Sequence, residues 1–200
     1  GAAAIVYKTL FEEQIELERL QLSEELNQYN ERHAEMISLF PDIQHAGPTE
    51  HLMNLRKVVE SVNIPVIASL NCTFEETWVE YAKLIEQTGV NALELNFYSI
   101  PGDFKKEGKT IVNEQLDTVT QVKKAVKIPV SVKLSPFYTN ILSVIQQMYY
   151  AGIDGFVLFD RLFQPEIDIE KMEHHFPYNL SHEEDNRMTL RYIGLLHGEI

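Results

Sequence analysis

The string NIPVIASL, residues 63–70, returns as KIPVSVKL at residues 127–134, which sets Pro65 and Pro129 64 positions apart. GVNALEL returns as GIDGFVL, with Gly89 and Gly152 63 positions apart. Each copy is a short β-rich run announced by a proline or a glycine, and helix-length amphipathic stretches lie between them. Two strand–helix units per period is the pattern of a (β/α) barrel built by duplication. Right-handed crossovers would then gather the C-terminal ends of all strands on one face.

Strands are expected at Ala3–Lys8, Val66–Leu70, Ala92–Asn96, Val130–Leu134 and Phe156–Asp160, with Glu199–Ile200 opening another. These runs read as too apolar for strands with one solvated face, as expected where helices cover a parallel sheet. After the second strand, Thr73 with Glu76 has the capping-box spacing, Trp78, Ala82 and Ile85 share a helical face, and Gly89 stops the helix. A second helix over Glu114–Val126 aligns Leu116, Val119 and Val122, and SHEEDNR reads as a helix start with Ser181 capping and Glu184 at the third position.

One connection breaks the rhythm. Residues 12–63 hold a helical stretch from Glu12 to about Tyr29 and the loop FPDIQHAGP, long enough for a lid over the strand ends or for a surface helix and loop. Within it, EEQIELERLQLSEEL reads as a solvated helix with one apolar stripe. The fold class is α/β, a (β/α)8 TIM barrel of which this chain carries about strands 2 to 6 and the start of strand 7. An open, doubly wound sheet is the alternative. Residues 1–200 form one barrel domain, and both ends read as cut, GAAAIVYK being strand-like from the outset.

Thirty acidic against 17 basic side chains give a net charge of −13, which disfavours nucleic-acid and anionic-membrane surfaces. A single cysteine, Cys72, rules out an intrachain disulfide and suits a reducing, cytoplasmic setting; its place just past a strand suits a packed small residue. No apolar run approaches the ~20 residues that span a bilayer. His33, His45, His51 and the adjoining His174 and His175 follow no metal-ligand spacing, so no metal is expected.

The strand exits carry polar groups: Lys8 and Thr9, Ser69 and Asn71, Asn96 and Ser99, Lys133 and Ser135, then Asp160. Active sites of this architecture collect at that end. Asparagines read paired donors and acceptors, and a lysine supplies a point charge where an anion develops. A flavin, an enolate and a phosphosugar all fit that set.

IPVIASLNCTFEETWVEYAKLIEQTGVNALELN followed by VKIPVSVKLSPFYTNI resembles the dihydroorotate dehydrogenase family, and also the flavin domain of dihydropyrimidine dehydrogenase. The likeness is most specific over residues 64–140. It implies an FMN-binding (β/α)8 barrel that oxidises dihydroorotate, or a related dihydropyrimidine, in pyrimidine biosynthesis. It further implies that Lys8, Thr9, Ser69, Asn71, Asn96 and Lys133 hold the flavin, and that Lys8, Asn96 and Asp160 meet the substrate. Ser99, three residues after the strand asparagine, takes the place of the base that removes a proton from C5, and Lys133 faces flavin N1 and the C2 carbonyl. The electron acceptor is left open among fumarate, NAD and quinone, and a homodimer is allowed. The family's phosphate-binding glycine loops belong to later strands than those read here.

The chain also departs from that pattern. Asn-x-Ser-Cys/Ser-Pro-Asn becomes NFYSIPGD, with Ile100 ahead of the proline, and the family's Asn-rich motif after the first strand is absent from NERHAEMISLF. Where another substrate-binding asparagine is expected, VLFDRL carries Asp160. A carboxylate there opposes orotate's own unless Arg161 or a proton compensates. A differently specific or non-catalytic homologue, dihydropyrimidine reductase-like, and a phosphosugar or aldolase-type barrel with Lys133 as Schiff base remain the alternatives.

Overall fold

A computed structural model describes residues 1–17, 20, 48–97, 102–161, 166–175 and 182–200. Parallel strands β1 (Ile5–Val6), β2 (Leu10–Phe11), β3 (Val66–Asn71), β4 (Ala92–Asn96), β5 (Val130–Leu134) and β6 (Gly155–Leu158) form one sheet. Its order is β1–β3–β4–β5–β6, with β2 also on β3, so from β3 onward each strand lies beside its successor. A doubly wound sheet reverses direction at a switch point; this one runs one way, as the arc of a (β/α) barrel does. Helices α1 (Pro48–Ser61), α2 (Glu75–Glu86), α3 (Gly108–Ala125) and α4 (Ile141–Tyr150) fill the crossovers.

The strands are not apolar throughout. One parity, Ala68, Leu70, Leu93, Leu95, Val130, Val132 and Leu134, is fully buried in the apolar core with the helices. The other parity carries Ser69, Glu94, Ser131, Asn96 and Lys133, in register across the sheet: Ser69 opposite Glu94, Glu94 opposite Ser131, Asn96 opposite Lys133. The expectation of strands apolar on both faces is thus corrected. A barrel interior tolerates polar side chains that find partners, as Ser69 and Glu94 do in each other.

The repeat is visible as hardware. Gly89 and Gly152 both adopt left-handed backbone, φ 87° and 96°, which glycine reaches without strain and which turns the chain from helix into strand. Two residues later, Asn91 Oδ1 accepts from the Val66 backbone N–H at 2.8 Å, and Asp154 Oδ2 accepts from that of Val130 at 2.8 Å. Each clamp ties the entry of one strand to the entry of the next. Burial raises the Asp154 carboxyl, but hydrogen bonds from Lys123 and Val130 outweigh it and hold the group below the usual carboxylate range.

Several expectations are corrected. The first strand is broken: between the Val6–Ile67 and Leu10–Leu70 pairings, β1–β2 advances one residue more than β3, a bulge at Tyr7–Thr9. Thr73 does not cap α2. The helix begins at Glu75, and the Thr73 and Phe74 N–H groups are taken instead by the carboxylate of Glu12, a residue of the distant helical stretch 12–17. Strand β6 ends at Leu158, short of Asp160, and Glu199–Ile200 is not strand. The last helix, α5 (Asn186–Leu196), follows a 3-10 turn in which the Asp185 carboxylate accepts from the His182 N–H at 2.9 Å; Ser181 lies outside the described residues. An antiparallel hairpin of β7 (Glu166–Asp168) and β8 (Glu173–His175), unforeseen in sequence, precedes it. Helix α1 was likewise missed inside the 12–63 connection, whose residues 21–47 are not described.

Candidate functional site

The bulge in β1–β2 puts Lys8 and Thr9 side by side at a strand exit. Lys8 is exposed, while Thr9 Oγ1 lies 2.8 Å from Ser69 Oγ, which donates to Glu94 Oε1 at 2.9 Å. Glu94, 5% exposed, is therefore an interior group held by its neighbour strand. One layer toward the strand exits, Asn71 Nδ2 donates to the Asn96 carbonyl at 2.6 Å. Lys133, opposite Asn96 in register, reaches Asp160 Oδ1 at 3.0 Å. The Asp160 backbone N–H donates to the Leu134 carbonyl at 2.7 Å, which fixes the residue at the exits of β5 and β6.

Two acceptors in this cluster lack partners. Asn96 Oδ1 and Asp160 Oδ2 are buried, without a hydrogen-bond donor, on residues only 4% and 9% exposed. Buried polar atoms are paired in the great majority of cases, and an unpaired one calls for an explanation such as a ligand. The residues that carry them both adjoin Lys133, Asn96 in register with it and Asp160 in an ion pair with it. The arrangement can receive N–H donors at two points and place positive charge beside them.

Of the residues expected at the site, Thr9 pairs with Ser69, Asn71 with the Asn96 backbone and Lys133 with Asp160, three contacts on neighbouring strand exits. Lys8 stands at their edge. Ser135 is turned aside, its Oγ accepting from the Phe137 N–H at 3.1 Å within its own loop. Ser99 lies outside the described residues. Arg161, expected as a possible counter-charge, is engaged by Asp185 at 3.2 Å. Beside the exits, a groove of about 800 Å³ runs between α3 and α4, lined by Phe97, Ile111, Gln115, Ser135, Tyr138 and Ser143.

Sequence reasoning missed two buried polar residues. Glu12, 4% exposed, keeps Oε1 unpaired while Oε2 serves α2. His51, 2% exposed, packs edge-on to Tyr7 at 5.1 Å, and its Nε2 has no partner. Burial, with the Lys8 charge nearby, lowers the His51 pKa from 6.5 to about 4, so it is neutral at neutral pH. His51, Leu55 and Val58 share a helical stripe, which was the available signal for burial. Among the described residues no group of three or more His, Cys, Asp or Glu could hold a metal ion, and no helix is long and apolar enough to cross a membrane.

No protein-family model matches the chain. Among curated proteins, the dihydroorotate dehydrogenase B (NAD(+)) catalytic subunit of Methanocaldococcus jannaschii is 38% identical over 133 residues, 64% of this chain and 42% of that protein. Its relatives are dihydroorotate dehydrogenases. The subunit of the same name from Geobacillus kaustophilus is 34% identical over 132 residues, and that from Halalkalibacterium halodurans 30% over 146. The chain spans less than half the length of these dihydroorotate dehydrogenases, 42% to 47%. A solved structure from Pseudomonas aeruginosa overlays with a TM-score of 0.42 at 17% identity, over 54% of this chain and 36% of its own, too distant to bear on function.

Proposed function

We propose that the protein is a flavin-dependent oxidoreductase that oxidises the C5–C6 bond of a dihydropyrimidine, dihydroorotate or a close relative of it. The observation that carries this reading is the pair of buried, unpartnered acceptors on residues adjoining Lys133, set on strand exits of a barrel arc whose relatives are dihydroorotate dehydrogenases.

The residues present fit FMN. Lys133 offers a cation where a reduced flavin concentrates negative charge, Asn96 Oδ1 is an open acceptor for a ring N–H, and Thr9, Ser69 and Asn71 line the neighbouring exits. When bound, FMN supplies the hydride acceptor. The chain supplies the rest. Asn96 orients the ring edge, and Lys133 holds positive charge against it, itself positioned by Asp160. Ser99 is assigned removal of the C5 proton; a serine hydroxyl titrates far above neutrality, so a neighbour or water must relay that proton. Lys133 is engaged by Asp160 in a 3.0 Å ion pair, which suits this role better than a Schiff base. The printed names of the relatives give NAD(+), which makes it the electron acceptor to test first.

The test is the absorption spectrum of the purified full-length protein with and without a dihydropyrimidine under anaerobic conditions. A flavin band that bleaches on addition supports the proposal. A colourless protein, or a band that no dihydropyrimidine bleaches, rejects it.

A further inference from the structure

We infer that this site selects an uncharged cyclic ureide, a dihydropyrimidine ring without a carboxylate, and that Asp160 sets the preference. The inference rests on the flavin and dihydropyrimidine reading of the same site and narrows its substrate.

Three observations lead there. First, the open positions are acceptors. With Asn96 Oδ1 assigned to the flavin ring edge, Asp160 Oδ2 is the buried oxygen of this cluster still without a donor, so the group that completes it brings N–H rather than oxygen. A cyclic ureide has two ring N–H groups and no other strong donor. A ring carboxylate would instead bring two more acceptors toward Asp160.

Second, Lys133 and Arg161 are already engaged. Lys133 is neutralised by Asp160 at 3.0 Å, and Arg161 is tied to Asp185 at 3.2 Å. With Lys133 shared between Asp160 and the flavin ring edge and Arg161 held by Asp185, neither of these two cations is left to pair a substrate carboxylate. Two carboxylates sharing one buried site repel unless one takes up a proton.

Third, Asp160 cannot easily turn away. Its backbone is bonded to Leu134, its Oδ1 to Lys133, and the residue is 9% exposed. Specificity built on a fixed carboxylate with one oxygen left open works by rejecting the wrong ligand as much as by holding the right one. An asparagine at this position would keep the shape, remove the charge and add a donor.

The experiment uses the full-length protein carrying its flavin, titrated with uracil and with orotate, read by calorimetry and by the shift of the flavin band. The wild type is expected to bind uracil at least about tenfold more tightly than orotate. Asp160→Asn is expected to invert that order through a gain in orotate affinity. A wild-type preference short of tenfold, or an Asp160→Asn variant with an unchanged ratio, overturns the inference and leaves the flavin reading standing. A protein that holds no flavin overturns both.

Discussion

The two ends of the sheet use similar side chains to opposite purpose. At the N-terminal ends, Asn91, Asp154 and Glu86 each accept from backbone N–H groups of a neighbouring strand entry: Val66, Val130, and the Lys127–Ile128 pair at 2.6 and 3.2 Å. At the C-terminal ends, Asn96 and Asp160 sit as deeply or deeper, yet each keeps a carbonyl-type oxygen without a donor. An amide and a carboxylate hold the chain together at one end and are left open at the other. The contrast teaches where to look for function: in acceptors that the fold has buried and not satisfied, rather than in polar residues as such.

The comparison breaks most visibly if changes at the open end leave the chemistry intact. Ser99→Ala is expected to slow flavin reduction by a dihydropyrimidine by about two to four orders of magnitude, the size of a general-base contribution, with flavin content unchanged. Stopped-flow rates within twofold of wild type would remove Ser99 from the reaction. Lys133→Ala is expected to lower the same rate by about 10²–10³-fold, as when one fixed electrostatic contact to developing charge is lost. It also strands the Asp160 carboxylate, so some stability goes with it. The double variant Lys133→Ala, Asp160→Asn should recover melting temperature and not rate. Recovery of both would make Lys133 structural.

At the opposite end the pattern should reverse. Asp154→Ala is expected to reduce unfolding free energy by about 1–2 kcal/mol, through loss of its bond to the Val130 N–H, while the folded fraction keeps its flavin reduction rate. Chemical denaturation alongside turnover would show it. A fall in rate larger than the fall in folded fraction would blur the distinction between the ends.

The smallest effect concerns His51, the buried imidazole of α1 that packs edge-on to Tyr7. Its pKa is lowered to about 4 in the fold, so the unfolded chain takes up the proton first as pH falls. Its contribution to stability is complete above about pH 6.5 and is lost progressively down to about 4. His51→Phe should flatten that part of the curve. An acid-unfolding profile identical to wild type would show that His51 does not titrate with folding.

How much of this was legible in the sequence follows from how local each cause is. Strands β4 and β5 were read to the residue, and Gly89 as a helix stop, because a β-rich run and a glycine turn are decided by adjacent residues. The polar exits were found for the same reason. The ion pair of Lys133 with Asp160 was not, since it depends on how β6 leaves the sheet. Glu12 as the cap of α2 was out of reach: its partner lies 61 residues away, and Thr73 offered a plausible local substitute. The bulge that brings Lys8 and Thr9 to one exit is a matter of register with β3, which the first strand alone does not encode.

The paired clamps at Asn91 and Asp154 have a kinetic consequence. Each closes a span of 24 or 25 residues, one strand, one helix and the turn into the next strand, by a contact that requires no other part of the chain. A closure of this span costs less loop entropy than pairing strands farther apart in the chain. Each strand–helix unit can therefore register itself as it emerges during synthesis, and the arc grows by adding units that are already in order.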